Sequence, residues 1–368
     1  MKSEKFLLEK FRDYYRGEKP DMPKKFSRRE FGFMFFGSRA MARHIAFSTT
    51  GNLKSFLVGN APAHVFYSSA YYSKPAEKRM EDKDWLGADL IFDLDADHLA
   101  GADRMDYRET LDKVRREALK LVDDFLIRDF GFENFEIVFS GSRGYHIHVY
   151  DEQVLNFGSR ERREIVDYLT GKGIDLEVIM KRNGVYVLPS EQEAGWYGRI
   201  GRAIRGYAGE LMMGGRERAV NELKSIRGVG DKKASEIYDK LGKMNFDRVM
   251  NALPDEFVEH LMSDVAVIGS KGETDEPVTS DIKRLIRMPG SLHGKTGFIV
   301  KRIDLEELTT FDPLSDALFF GEEPLEVEFL RPLRLRIGDI TLDVKEERIS
   351  IPEYAAVFAC ARGFATPV

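Results

Sequence analysis

Gly87-Ala88-Asp89-Leu90-Ile91-Phe92-Asp93-Leu94-Asp95 is the stretch on which the fold turns: an apolar strand with acidic residues at its end. Side chains alternate along a strand, so Asp93 and Asp95 project from the same side of the sheet, a few Å apart. Two like charges that close repel unless a cation lies between them. Mg²⁺ takes oxygen ligands, usually one or two carboxylates completed by substrate phosphates. The strand end therefore suits phosphoryl transfer. Asp97 continues the alternation and reads either as a further ligand or as a solvated loop residue. The plain alternative for the whole stretch is a strand running into a polar turn.

Downstream, strands over 135–139 and 145–150 flank Ser140-Gly141-Ser142-Arg143-Gly144 and form a hairpin. Its glycines permit a tight turn that brings N–H groups close to an anion. Ser140 and Ser142 add hydroxyl donors, and Arg143 offers a planar fork for phosphate oxygens. On the return strand Tyr145, Ile147 and Val149 share the core face, which leaves His146 and His148 on the more polar side. Of the two, His146 is the better candidate for ligand contact. The same glycines also suit an ordinary hairpin.

A third constellation begins at Thr274-Asp275-Glu276-Pro277. It continues through Lys283-Arg284-Leu285-Ile286-Arg287-Met288-Pro289-Gly290-Ser291-Leu292-His293-Gly294-Lys295-Thr296-Gly297, cations set among Pro and Gly. Such a loop can face phosphates, since a triphosphate needs several donors beyond any metal. Basic glycine-rich turns are also often merely solvated.

The remaining pattern interleaves helices and strands without a regular βαβ rhythm, which predicts an α+β fold. Helices are expected over 4–15, 106–129, 160–170 and 281–288, the last capped by Thr279 or Ser280. Strands are expected over 28–36, 65–72, 265–268 and 297–303, and the tail mixes strands with a last helix. The expected domains are a mixed α/β catalytic core, 1–190 and 255–368, and an inserted helical subdomain, 191–254. Within the insert, residues 223–237, Leu-Lys-Ser-Ile-Arg-Gly-Val-Gly-Asp-Lys-Lys-Ala-Ser-Glu-Ile, resemble a helix–hairpin–helix motif. Its exposed backbone N–H groups suit a DNA phosphate; a small packing domain is the alternative. Between Arg199 and Arg248 there are 12 Lys/Arg against 7 Asp/Glu. That local excess matters because the whole chain of 368 residues carries −6, which would otherwise argue against nucleic acid.

The hydrophobic fraction of 43% supports a buried core. No apolar run reaches membrane-spanning length, and the charged N-terminus lacks a signal peptide's apolar stretch, so a cytoplasmic protein with no membrane partner is expected. The single cysteine, Cys360, excludes an internal disulfide and a cysteine zinc cluster and reads as a buried inert thiol.

Taken in order, these motifs resemble the small catalytic subunit of archaeal and eukaryotic DNA primases. Arg29-Glu30-Phe31-Gly32-Phe33 resembles that family's N-terminal element, and Leu90 through Asp95 its metal motif. Ser140 through His146 resembles its nucleotide-binding hairpin. Asp275 resembles its third metal carboxylate, and Ser291 through Gly297 its distal triphosphate motif. The resemblance spans about residues 25–305. It implies a template-dependent nucleotidyltransferase that makes short primers from nucleoside triphosphates on single-stranded DNA. Asp93, Asp95 and Asp275 would bind two divalent metals, Mg²⁺ or Mn²⁺. Ser140, Arg143, His146, Arg287, His293 and Lys295 would hold the triphosphate, with Glu30 and Arg43 near the nucleotide. A large, iron–sulfur-containing subunit would complete a heterodimer. The family's cysteine/histidine zinc knuckle is missing from His98-Leu99-Ala100-Gly101-Ala102-Asp103, so no structural zinc is expected.

Three alternatives stay open. A repair-type or stand-alone primase-polymerase of the same superfamily would need no large subunit. A non-catalytic nucleic-acid-binding scaffold would need no metals. Ile91 through Asp95 is also similar to the first motif of haloacid-dehalogenase phosphatases, where the first Asp is a nucleophile. That family carries Gly-Thr or similar next, near the N-terminus, whereas here Ala96-Asp97 follow a quarter of the way along.

Overall fold

A computed structural model describes residues 2–19, 21–98, 105–243 and 250–368. The side chain of His98 and residues 99–103, where a zinc knuckle was considered, lie outside the described residues. The chain forms an α+β fold of two compact units. The first comprises Met1–Leu119, Phe132–Val166 and Thr274–Val368, and the second Lys120–Gly131 and Asp167–Glu273.

Two antiparallel four-stranded sheets organise the first unit. The strands of these sheets are β1 (Phe31–Met34), β2 (Met41–Ile45), β3 (His64–Ser68), β4 (Leu90–Asp95), β5 (Phe135–Phe139), β6 (Gly144–Val149), β7 (Leu285–Arg287) and β8 (Lys301–Ile303). One sheet runs β7-β3-β1-β2 and the other β8-β5-β6-β4. Phe31 and Phe33 of β1 are fully buried, as are Leu90 and Phe92 of β4. Each such phenylalanine contributes roughly 1.5–3 kcal/mol. Every residue of β6 is buried. His146 and His148, on the face expected to be the more polar, are buried as well.

The helices used below are α1 (Lys2–Gly17), α2 (Tyr107–Lys120), α3 (Glu276–Ser280) and α4 (Glu353–Ala361). In α4 all residues from Tyr354 to Cys360 are buried. Burial pushes the Cys360 thiol up to about 12, as an inert core cysteine requires.

Two expectations fail locally. The helix expected over 281–288 is absent: α3 ends before it at Ser280, and the segment is a turn followed by β7. Pro277, in the first turn of α3, presets the helical backbone angle. Leu285 and Ile286 pair in register with Ser68 and Tyr67, so sheet pairing wins over the helical reading. The strand expected over 265–268 is part of a widened helical stretch, Leu261–Ile268, whose Leu261 and Ala266 are fully buried. A short apolar run fits either element, and neighbouring packing decides.

Helices Gly195–Met213, Arg216–Leu223, Asp231–Lys243 and Asp255–His260 build the second unit. They close around Trp196, Ile200, Ile204, Leu223, Ile237 and Phe257. Arg216–Leu223 and Asp231–Lys243 are joined through a turn in which Gly228 takes φ +84°, giving the helix–turn–helix succession read from sequence. The unit contains the 191–254 segment and also 120–131, 167–190 and 255–273. Asp129 explains part of the extension: it is paired with the buried Arg199 and accepts the Gly195 N–H at 3.1 Å. Among the described residues, no helix is long and apolar enough to cross a membrane.

Candidate active site

A cleft of about 350 Å³ lies in the first unit, where β4, the β5–β6 hairpin, β7 and the loop after β7 converge. Asp93 and Asp95 line it from β4, as their shared side of the strand requires. In the register of β4 with β6, Asp93 stands opposite His146 and Asp95 opposite Gly144. The His146 Nε2 is 3.4 Å from Asp93 Oδ1. Gly144 is obligatory here for space, because a Cβ on it would lie 2.6 Å from the Leu94 carbonyl oxygen.

The hairpin turn is held from two sides. Gly141 takes φ +83°, a left-handed conformation that side chains disfavour. Its carbonyl accepts from Thr296 Oγ1 at 2.5 Å, which ties the turn to the loop after β7. The Ser142 carbonyl accepts from the Tyr107 hydroxyl of α2 at 3.1 Å. Arg143 reaches Asp97 with Nη2 2.5 Å from Oδ1, and the Asp97 N–H donates to Asp95 Oδ1 at 3.0 Å. Asp97 thus contacts the turn's arginine and is braced on Asp95.

Ser140, Arg143, His146, Arg287, His293 and Lys295 all line the cleft with the two carboxylates. Asp275 lies beside them, outside the lining. Its N–H donates to the Asp93 carbonyl at 2.8 Å, and it is the residue immediately before α3. Arg43 is elsewhere, its Nε 3.1 Å from Oε1 of the buried Glu30. Lys83 also meets Glu30, at 3.4 Å, so Glu30 is a buried acceptor shared by two cations. His148 is buried behind the cleft, 3.3 Å from the Tyr67 hydroxyl.

Three lining residues escaped the sequence reading: Phe66, Arg284 and Arg362. Arg284 belongs to the basic run whose loop can face phosphates, and nothing in that run sets it apart from its neighbours. Arg362 follows the apolar α4 and had no motif around it. Phe66 sits in an aromatic strand that reads as core, and the Arg287 guanidinium lies over its ring at 5.0 Å.

The charges are asymmetric. Arg143, Arg284, Arg287, Lys295 and Arg362 face Asp93, Asp95 and Asp97. Burial pulls Arg287 down to about 10, against the opposing pull of Asp93 and Asp95, so it stays charged at neutral pH. Burial also holds His146 and His293 well below the usual imidazole range, reinforced at His146 by His148 and Arg287 and at His293 by Arg287 and His64. Both rings are therefore neutral, and positive charge comes from Arg and Lys. Such a cleft can take a polyanion at one side and a hard cation at the other. Among the described residues, no three His, Cys, Asp or Glu side chains cluster tightly enough to hold a metal by themselves.

The sequence model of the DNA primase small subunit matches residues 92–305 of this chain. The DNA primase small subunit PriS of Methanothrix thermoacetophila is 42% identical over 99% of this chain and 98% of its own. That of Methanococcoides burtonii is 40% identical over 99% and 98% respectively. That of Archaeoglobus fulgidus is 40% identical over 98% of each.

Proposed function

Since the chain belongs to the DNA primase small-subunit family, and is the catalytic, nucleotidyl-transferring subunit of a DNA primase, we propose that the β4 cleft is where the incoming nucleoside triphosphate is held and joined to the primer. The observation that carries this reading is the placement of Asp93 and Asp95 opposite five cations in one cleft.

The donors fit a divalent cation, Mg²⁺ or Mn²⁺. Two strand-end carboxylates supply hard oxygen ligands, and substrate phosphate oxygens and water would complete the shell. Asp275, tied by its backbone to Asp93, is the proposed third carboxylate. When bound, such cations activate the attacking 3′-hydroxyl and neutralise charge on the leaving pyrophosphate.

The chain's own residues do the rest. Arg287 and Lys295 present positive charge to the triphosphate from the β7 side, and Arg143 from the hairpin. Ser140 and the neutral His146 and His293 supply hydrogen bonds without adding charge. The buried setting strengthens each contact relative to water. Arg43, on β2, is proposed to act near the nucleotide, with the buried Glu30 holding its guanidinium.

A small subunit implies a larger partner, and we include in this reading a heterodimer with an iron–sulfur-containing large subunit, acting on single-stranded DNA template. The test is primer synthesis by the purified chain with Mg²⁺ or Mn²⁺, compared with Asp95→Ala. Loss of one strand-end carboxylate should lower the rate by roughly a hundred-fold or more, since charge stabilisation by such ions is worth several kcal/mol. Undiminished synthesis by that variant would sink the reading.

A further inference from the structure

His64 opens β3 and is almost completely buried. Its Nδ1 is 2.7 Å from Arg287 Nη1 and 3.3 Å from the backbone nitrogen of Gly294. Arginine and a backbone amide can only donate, so Nδ1 accepts both and the ring proton sits on Nε2. Burial, Arg287 and Lys295 bring the imidazole down to about 3, so it is neutral throughout the working range. The ring also meets His293 edge-on, with centroids 4.8 Å apart.

The backbone is seated here as closely as the side chains. A Cβ on Gly294 would lie 2.7 Å from the Ala63 carbonyl oxygen and 2.8 Å from the Ala63 Cβ. Ala63-His64 is thus a seat on which the loop carrying His293 and Lys295 rests. One ring nitrogen ties that loop to Arg287.

The choice of a neutral acceptor has a physical consequence. Arg287 is half-buried near Asp93 and Asp95 and is drawn towards both. An acceptor bonded to Nη1 holds the guanidinium in place against that pull. A carboxylate there would fix it equally well and cancel its charge; an imidazole fixes it and leaves the charge available to an anion.

We propose that His64 is a positioning residue of the triphosphate site: a neutral acceptor that holds Arg287 and the Gly294 loop in the geometry that receives phosphate oxygens, without itself touching substrate. This rests on the reading of the cleft as the nucleotide site.

The test uses the full chain and steady-state extension of an annealed primer–template, separating the KM for nucleoside triphosphate from kcat. In His64→Asn the Oδ1 sits where Nδ1 sits and keeps the acceptor. In His64→Gln the oxygen sits one bond further out and the acceptor is misplaced. The glutamine variant should raise KM about ten-fold or more, the size of a lost hydrogen bond to a charged group, with kcat changed less. The asparagine variant should stay within about three-fold of wild type, an effect under 1 kcal/mol. His64→Asp should keep the fold, as read by thermal unfolding, and still raise KM about ten-fold, because it cancels the Arg287 charge. Equal KM values for the asparagine and glutamine variants, or a wild-type KM for His64→Asp, would overturn the proposal. Arg287→Ala is the control for the underlying reading: if it leaves KM unchanged, the nucleotide assignment of the cleft fails, and not merely the role of His64.

Discussion

Gly141 sits at φ +83°, and a Cβ there would lie 2.7 Å from the His293 Cβ and 3.2 Å from Val300 Cγ2. Gly141→Ala therefore meets both a disfavoured backbone conformation and a clash with a cleft residue. The variant should lose about 1–3 kcal/mol of stability in urea unfolding. It should also raise the KM for nucleoside triphosphate, because His293 must shift. A variant equal to wild type in both measurements would contradict this geometry. The two hairpin glycines looked interchangeable in sequence, both serving a turn. They differ in cause: Gly141 is needed for its backbone angle, Gly144 for the close approach of the Leu94 carbonyl. The type of residue was legible one motif at a time. The contact between Gly141 and His293, some 150 residues away, was not, because no local pattern encodes a long-range collision.

Asp89, just before β4, ties several elements together. Arg29 Nη2 lies 2.8 Å from its Oδ2 with both side chains fully buried, and the Tyr71 hydroxyl donates to its Oδ1. Arg162 donates to its carbonyl at 2.7 Å. Burial pushes the Asp89 carboxyl up, but Arg29, His148 and Tyr71 outweigh it, and it lies below the ordinary range. The ionised group thus contributes stability that is fully present above the unfolded value of roughly 3.9. That contribution is lost as pH falls through the lower folded value. Asp89→Asn leaves Arg29 buried without its counter-charge and should cost about 3–5 kcal/mol at pH 7. The gap between the variant and wild type should narrow below about pH 4, as read by urea unfolding at pH 7 and pH 3.5; a gap that ignores pH would refute the assignment. At this scale the sequence is readable where period and length agree, as in β4 and the hairpin; the helix expected over 106–129 is α2 to Lys120 and then a widened stretch, Leu121–Ile127. The sequence misleads at β7, where Leu285-Ile286 fits a helix or a strand and only pairing with β3 decides. Asp89 reads as part of an acidic strand, and its buried partner Arg29, 60 residues earlier, falls in a motif whose pattern does not reveal that it is core.

The whole chain carries −6, yet its cleft is lined by five cations against three carboxylates. The global number fails as a guide because folding sorts charge by position, gathering Arg143, Arg284, Arg287, Lys295 and Arg362 from three distant stretches. Arg362 is the most distant of these and lies beyond residues 92–305, where the family match ends. It is brought to the cleft by α4, whose apolar residues are anchored in the core, so that the residue directly after the helix emerges at the site. Its guanidinium lies 5.6 Å from the Tyr107 ring centroid, and Tyr107 in turn holds the hairpin through Ser142. The side chain is partly exposed, so its removal leaves no large cavity. Arg362→Ala should therefore change unfolding free energy by less than about 1 kcal/mol. It should nevertheless weaken triphosphate binding several-fold, since hydrogen bonds to charged groups contribute about 1.5–3 kcal/mol when fully formed and less at an open rim. The readout is KM for nucleoside triphosphate across salt concentrations. The difference from wild type should shrink as salt rises, because an exposed cation is screened. A KM equal to wild type at low salt would place Arg362 outside the substrate's reach and confine the phosphate-facing cations to the stretch between Arg143 and Lys295.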